Sequence, residues 1–277
     1  MMATSRATRS RRWGNRPGGD PPGRLILRAA ALSYLCALLL APVGLVFYRT
    51  FEHGLGAVWD SITTPAAISA FWLTIEVTLI AVPLNAAFGV LAGLALARGR
   101  FPGKALFDAL IDLPFAVSPV VIGLSLFLVY GREGWLHLPF QVIFSVPGIV
   151  LATIFVSLPF VVREVTPVLR EVGDEQEQAA ATLGASGWQA FWRITLPSIR
   201  WGIAYGVVLS VARCIGEFGA VSVVSGKVAG STLTLTLLVE QRFSNYDLAG
   251  AYAASALLAA IALATLFAMT RIRRFEP

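Results

Sequence analysis

The sequence predicts an all-α membrane protein with six transmembrane helices. Hydrophobic residues make up 56% of the 277-residue chain and charged residues only 14%, a balance far from that of a soluble domain. The apolar residues are gathered into blocks long enough for a helix to cross a bilayer, which takes about 20 residues. Helices are the expected form of each block, because an unpaired backbone amide is costly in hydrocarbon.

Each predicted span corresponds to one apolar block. The fifth span is the block Trp201–Ser225, which is interrupted only by Arg213 and Glu217. Proline recurs within the blocks, and Pro114 with Pro119 is the best candidate for a functional break, since irregular backbone at membrane depth is tolerated where it lines a cavity. The other five spans are uncharged runs: Ala29–Tyr48, Val77–Ala97, Leu113–Gly131, Gly134–Val162 and Leu248–Thr270.

Basic residues are distributed unevenly around these spans. Seventeen Lys and Arg residues fall in the N-terminal tail, in the connections after spans two and four, and at the C-terminus, against four in the outer connections. Cytoplasmic loops carry the excess of basic residues, so both termini and the segment Arg163–Arg200 are expected in the cytoplasm. The expected regions are a disordered basic cytoplasmic tail (1–24), the first transmembrane helix with an outer loop (25–68), the main membrane core (69–272) and a cytoplasmic C-terminus (273–277).

Other classes of function are disfavoured by residue placement. Cys36 and Cys214 both fall within spans and are expected to be small buried residues. The only histidines are His53, in a predicted loop, and His137, in the outer connection Arg132–Leu138 that overlaps the start of the fourth apolar run; this leaves no metal-ligand cluster and no paired base for an intramembrane nucleophile such as Ser118. The positive charge lies on the cytoplasmic segments of a membrane protein, which argues against nucleic-acid binding.

The segment Arg163–Arg200 is the longest polar stretch between predicted spans, and it carries helix signals. Acidic residues precede Gln178 and favour a helix from about Asp174 to Leu183, because acids stabilise a helix N-terminus. Gly184 can adopt positive φ and end that helix.

A second short helix is predicted directly afterwards. Ser186 and Gln189 match a capping box, and three aromatic residues follow at helical spacing: Trp188, Phe191 and Trp192. Pro197 is expected to fix the bend before the fifth span. One interpretation is an amphipathic helix anchored at the lipid headgroups by its tryptophans; a docking surface for a partner is the other, and the two are compatible.

The spacing of this segment resembles the cytoplasmic EAA loop of ABC-transporter permeases, written E-A-A-x3-G-x9-I-x-L-P. We call Arg163–Arg200 the EAA-type loop. The resemblance implies a type I ABC importer permease fold, with a coupling-helix loop between helices 4 and 5 and a type-1 permease core over 69–272. Gln178 replaces the usual Glu, and Glu177 beside it is a candidate to substitute. The residues implied to dock the ATPase are Gln178, Ala179, Ala180, Gly184, Ile194, Leu196 and Pro197.

The fifth span carries the strongest indication of cargo. Arg213 and Glu217 are one turn apart, so they are expected to share a helix face, and intramembrane charge usually faces the bundle interior or an aqueous path. One interpretation is a self-neutralising ion pair that fixes helix packing. The other is a gate at which Arg213 transiently binds an anion while Glu217 compensates its charge, with Ser222 as a further candidate residue of the gate. The motif A-R-x-x-G-E-F-G-A at Ala212–Ala220 resembles the permeases of sulfate, molybdate and tungstate importers.

The chain is also similar to the W-type subunits of sulfate/thiosulfate permeases over about residues 70–270, and the segments that carry this similarity are Asp112–Val121, Gly184–Gln189, Pro197–Gly202 and Val221–Gly226. This similarity implies one subunit of an oxyanion importer in the bacterial plasma membrane, surrounded by lipid. The implied partners are a second permease subunit, an ABC ATPase dimer and an extracytoplasmic sulfate-binding protein. No cofactor is expected on this chain, with ATP and Mg²⁺ on the ATPase; the segment Gly99–Ala105 is one residue short of a phosphate-binding loop and ends in Ala.

Two alternatives stay open at this stage. A molybdate/tungstate permease would share the fold and the Ala212–Ala220 motif. An ion-coupled secondary transporter would need a titratable relay but no docking loop, and its candidate relay residues are Glu76, Asp108, Asp112 and Glu217.

Overall fold

A computed structural model describes residues 22–52, 54–136 and 139–273 of the chain, with side chains described from residue 26 to residue 271 within those ranges. The predicted disordered tail (1–24) falls outside them except for the backbone of its last three residues. His53, His137 and residues 274–277 also lie outside the described residues. Every regular element in the described part of the chain is helical.

The N-terminal unit, residues 1–45, contains most of the first predicted span, Ala29–Tyr48. Helix α1 (Pro22–Leu35) continues through a π-helical turn (Cys36–Leu40) into α2 (Ala41–Phe51). Pro42 has no N–H to donate, and the wider turn before it is closed by the Ala41 N–H donating to the Cys36 carbonyl, a usual way for a helix to absorb a proline. The apolar helix Ile26–Phe51 confirms this span. Cys36 is exposed rather than buried, so its predicted burial was wrong.

The second unit, residues 46–277, contains the remaining helices. Two short ones, α3 and α13, lie in what the sequence predicts as outer connections. The full order is α3 (Gly54–Ile62), α4 (Pro65–Arg98), α5 (Lys104–Ala116), α6 (Pro119–Tyr130), α7 (Val146–Val172), α8 (Glu175–Thr182), α9 (Gly187–Ala190), a π-helical turn (Phe191–Thr195), α10 (Leu196–Ser198), α11 (Arg200–Ile215), α12 (Gly219–Val224), α13 (Leu235–Ser244) and α14 (Leu248–Arg273).

Helices α4, α7 and α11 form a tightly packed three-helix block. A Cβ added to Gly89 of α4 would lie 2.5 Å from the Val161 side chain of α7, and one added to Gly206 of α11 would lie 2.7 Å from the Val161 Cα. Small residues let helix backbones approach closely where lipid offers no hydrophobic drive for association. The Asn85 Nδ2 adds an interhelical hydrogen bond of 2.7 Å to the Ser157 Oγ. The block is therefore held by backbone proximity and polar contact together.

The third predicted span is broken. Instead of one helix over Leu113–Gly131, helices α5 and α6 meet at an angle of 112°. Ser118 lies at φ −59° and ψ 135°, outside the helical region, as the residue before a proline usually does. Pro119 then begins α6. The predicted break at this proline pair is present, and the helical segment begins earlier than predicted, at Lys104.

The fourth predicted span, Gly134–Val162, was wrong at both ends. Residues 131–136 and 139–145 are not helical, and α7 runs from Val146 to Val172. The loop between α6 and α7 could not be distinguished from a span by hydropathy, because it is rich in aromatic residues and has no Asp, Glu, Lys or Arg between Gly134 and Ser145. It is held in place by backbone, since the Phe144 N–H donates to the Val224 carbonyl of α12 at 2.7 Å.

The fifth predicted span also differs, because α11 ends at Ile215 and α12 is a separate short helix. This second break packs against the first. A Cβ on Gly219 would lie 2.8 Å from Pro119, and one on Gly123 would lie 2.7 Å from the Ala220 carbonyl. The structure brings together two helix breaks that are about a hundred residues apart in the sequence.

Among the described residues, four helices are long and apolar enough to cross a membrane, and two bent helix pairs raise the number to six if each pair is one span. The bent pairs are Lys104–Ala116 with Pro119–Tyr130, and Gly187–Ser198 with Arg200–Ile215. The predicted six therefore corresponds to the upper count.

Candidate functional site

The first limb of the EAA-type loop is a helix, as predicted. Helix α8 has Glu175 and Glu177 in its first turn, which favours its N-terminal dipole. Gly184 lies at φ +85°. The Ala185 N–H donates to the Ala180 carbonyl at 3.0 Å and the Gly184 N–H to the Ala181 carbonyl at 3.0 Å, the paired bonds of a Schellman C-cap.

The second limb begins with the predicted capping box. The Ser186 Oγ accepts from the Gln189 N–H at 3.3 Å, and the Gln189 Oε1 accepts from the Ser186 N–H at 2.9 Å. A π-helical turn, Phe191–Thr195, follows because Pro197 has no N–H for the Arg193 carbonyl. The chain then bends by 66° into α11, at Ile199, two residues after the proline that was expected to fix the bend.

Most of the predicted docking residues lie on the surface of this loop. Gln178, Ala179, Gly184 and Pro197 are exposed, and the other three, Ala180, Ile194 and Leu196, are half-buried. Large apolar side chains surround them on the outside: Leu183 is 88% exposed and Trp188 is 69% exposed. Trp188 packs edge-on against Trp192 with ring centroids 5.5 Å apart, which stiffens the second limb.

Glu177, the candidate substitute for the missing Glu, is partly buried and makes contacts within the chain. Its carboxylate forms an ion pair with Arg98, the last residue of α4, and accepts a hydrogen bond from the Thr195 Oγ1. Arg98 was not predicted from the sequence, because nothing local indicates that a residue 79 positions earlier reaches α8. Its Nη2 also donates to the Gly173 carbonyl at 2.8 Å.

Arg213 and Glu217 form an ion pair, with Arg213 Nη2 and Glu217 Oε2 2.6 Å apart. They do not share one helix, because α11 ends between them. The Glu217 side chain is only 2% exposed and that of Arg213 is 30% exposed. Glu217 Oε1 accepts from the Ala220 N–H at 2.9 Å, so the carboxylate also caps the first turn of α12.

The same break is tied to α13. Thr236 Oγ1 donates to the Glu217 carbonyl at 2.8 Å, a contact that was not predicted and that local sequence does not indicate. Ser222 is half-buried, and its Oγ donates to the Gly219 carbonyl at 2.8 Å within α12. The structure therefore places Arg213, Glu217 and Ser222 around one break, with the guanidinium as the more accessible charge.

A family model described as "Binding-protein-dependent transport system inner membrane component" matches residues 87–276. This range contains the EAA-type loop and both helix breaks. The chain belongs to this family.

Relatives and a solved structure support the assignment of this permease to the family. The permease is 52% identical, over 88% of its own length and 90% of the relative's, to a "Sulfate transport system permease protein CysW" from Synechocystis. It is also 40% identical, over 88% of its own length and 89% of the relative's, to a "Sulfate transport system permease protein CysT" from Synechococcus elongatus. A bacterial ABC transporter that imports the acidic polysaccharide alginate superposes with a TM-score of 0.76 at 17% identity, covering 92% and 98% of the two chains; this likeness shows the fold. The permease is thus a multi-pass membrane protein.

The acidic residues named for a titratable relay do not form one chain in the permease. Asp108 and Asp112 both bind Arg163 of α7, at 2.8 Å from Nη2 and 2.6 Å from Nε respectively. This cluster joins α5 to α7. Glu76 is exposed on α4, whereas Glu217 is buried at the break, so the acidic side chains are split between separate environments.

Proposed function

We propose that the permease is the membrane-spanning subunit of an ATP-driven importer for sulfate or thiosulfate. The observation that carries this proposal is the EAA-type loop: an exposed, capped helix pair lying between two packed helices of one block. Large apolar side chains such as Leu183 and Trp188 are exposed on it, which supports a surface that a partner covers. ATP and Mg²⁺ belong to the partner ATPase, and this chain carries out no chemistry on them.

The geometry supports a mechanical coupling mechanism. The loop is continuous with α7 on one side and with α11 on the other, and both helices are packed against α4. A rigid element transmits displacement where a flexible one would absorb it. When the ATPase pair closes on ATP, the loop would carry that movement into α11 and, at the end of α11, to the break at Gly216–Phe218.

Arg213 is the proposed gate residue at that break. Its guanidinium offers N–H donors that Glu217 does not use, and a dianionic oxyanion could bind them transiently. Glu217 keeps the charge neutral between transport events and, by capping α12, fixes where the guanidinium lies. Ser222 on α12 is a further candidate for the path.

The cargo and the partners are proposed from the relatives. Higher identity to a W-type sulfate permease (52%) than to a T-type one (40%) favours the W-type role. A T-type chain would then be the second permease subunit of a heterodimer. A binding protein outside the cell is proposed from the description of the family, together with a bacterial inner-membrane location in which both termini are cytoplasmic.

Uptake of ³⁵S-sulfate in cells deleted for this permease tests the proposal. Reintroducing the chain should restore uptake that vanadate abolishes and a protonophore does not affect directly. Excess thiosulfate should compete, whereas molybdate at the same concentration should not. Competition by molybdate alone would reassign the cargo to molybdate, and uptake that depends on the proton gradient but not on ATP would refute the importer assignment.

A further inference from the structure

The end of helix α4 is joined to the EAA-type loop by a charged contact. Arg98 pairs with Glu177 of α8, and its Nη2 also donates to the Gly173 carbonyl, between α7 and α8. The side chains of Arg98 and Glu177 are only 22% and 23% exposed. Partial burial makes such a pair harder to break than a surface ion pair, because removing one partner leaves the other charge poorly solvated.

Glu177 uses its second oxygen to hold the opposite limb of the loop. Oε1 accepts a hydrogen bond from the Oγ1 of Thr195, which is buried. Thr195 ends the π-helical turn, 18 residues after Glu177. One carboxylate therefore contacts α4 and both limbs of the loop.

Apolar residues close around this contact. Leu169 of α7 and Ile199 at the bend are fully buried beside it. They exclude water and keep the loop against the end of α4. By contrast, Gln178, the next residue along α8, is exposed. The side chain of Glu177 is thus held against the block, whereas that of its neighbour Gln178 is exposed.

We propose that Arg98 is a positioning residue for the EAA-type loop: it fixes α8 to α4, so that movement of the loop is carried by α4 as well as by α7 and α11. α4 is not adjacent to the loop in sequence, and the Arg98 contact gives it a direct connection. The consequence for transport rests on the proposed function, because it requires an ATPase bound to the loop. The attachment itself does not.

Two measurements on Arg98→Gln, Glu177→Gln and the double variant test the attachment of α8 and its consequence for transport separately. Amide hydrogen exchange of the purified permease reports the attachment. The α8 amides should exchange at least about fivefold faster in each single variant than in the unmodified permease. The double variant should exchange no faster than the single variants, because the second substitution has no ion pair left to break. The ratio of sulfate imported to ATP hydrolysed, measured on the full transporter with its binding protein in vesicles, should fall at least about fivefold in all three. Lys227→Gln is the matched control, since it breaks an ion pair with Glu240 in a predicted outer connection.

Each outcome decides the proposal. Unchanged α8 exchange in Arg98→Gln overturns the attachment. Faster exchange with an unchanged transport ratio overturns the positioning role and leaves Arg98 with a purely structural one. A variant that fails to accumulate while Lys227→Gln accumulates normally also overturns it, since Arg98 would then be needed for folding. If the unmodified transporter imports no sulfate with ATP, the proposed function fails, and the hydrogen-exchange result still decides the attachment.

Discussion

Gly184 offers the sharpest test of the docking surface, through the substitution Gly184→Asp. Its φ of +85° is a conformation that a residue with a side chain adopts at a cost of about 1 kcal/mol. No atom lies within 4 Å of a Cβ added there, so no clash arises within the chain. The backbone cost alone would change the balance between ordered and frayed loop by roughly fivefold.

If the ATPase docks on this surface, Gly184→Asp would weaken its binding by much more than this backbone cost. A carboxylate pressed into the contact without a counter-charge would cost about 3 kcal/mol, or roughly a hundredfold in affinity for the ATPase. We therefore expect Gly184→Asp to reach the membrane at normal levels, to lose co-purification of the ATPase, and to lose sulfate uptake.

Gly230 provides the matched control. It lies in a predicted outer connection at φ +86°, also with no atom within 4 Å of an added Cβ. Gly230→Asp introduces the same strain and the same charge away from the EAA-type loop, so it should retain both ATPase binding and uptake. Equal behaviour of the two variants in the co-purification assay would refute the docking surface.

The remaining predictions concern the membrane block and the break. Gly89→Val should overpack the contact with Val161, destabilise by about 1–3 kcal/mol and lower the thermal midpoint in detergent, whereas Gly56→Val, which meets no nearby atom, should not; equal midpoints would contradict the close α4–α7 packing. Asn85→Ala should lose the bond to Ser157 and lower stability by about 1 kcal/mol, measured by unfolding in SDS, and an unchanged transition would show that this bond contributes nothing. Glu217→Ala should reduce stability more than Arg213→Gln, by about 1 kcal/mol for the lost cap of α12, in the same SDS assay; the reverse order would place the structural role on Arg213.

The helical class and the details of the EAA-type loop could be predicted because their causes are local. A block of apolar residues without charge must pair its backbone amides within itself, so helices follow from composition. The Schellman cap at Gly184 and the capping box of Ser186 with Gln189 each depend on residues within about six positions of one another. Short-range geometry of this kind can be derived from the spacing of residue types.

Boundaries inside the apolar stretches could not be predicted in the same way. The loop between α6 and α7 is apolar enough to be merged with the start of α7 into one predicted span, and its contact with α12 could not be predicted from its composition. The break at Pro119 was predicted because proline acts on its own neighbour, whereas the break at Gly216–Phe218 has no such local cause. It is held by Glu217 capping α12 and by Thr236 from another helix.

What the sequence alone determined is the helical class, the caps of the EAA-type loop and the family motif, because hydrogen bonding and side-chain sterics act over a few residues. Which side of α8 is exposed was decided by tertiary structure: Glu177 and Gln178 are adjacent polar residues, and contacts with Arg98 and Thr195 hold Glu177 inward. Likewise, two helix breaks a hundred residues apart meet only because glycines at positions 123 and 219 permit close backbone contact. Such pairings depend on the packed arrangement of the helices, which no local pattern contains.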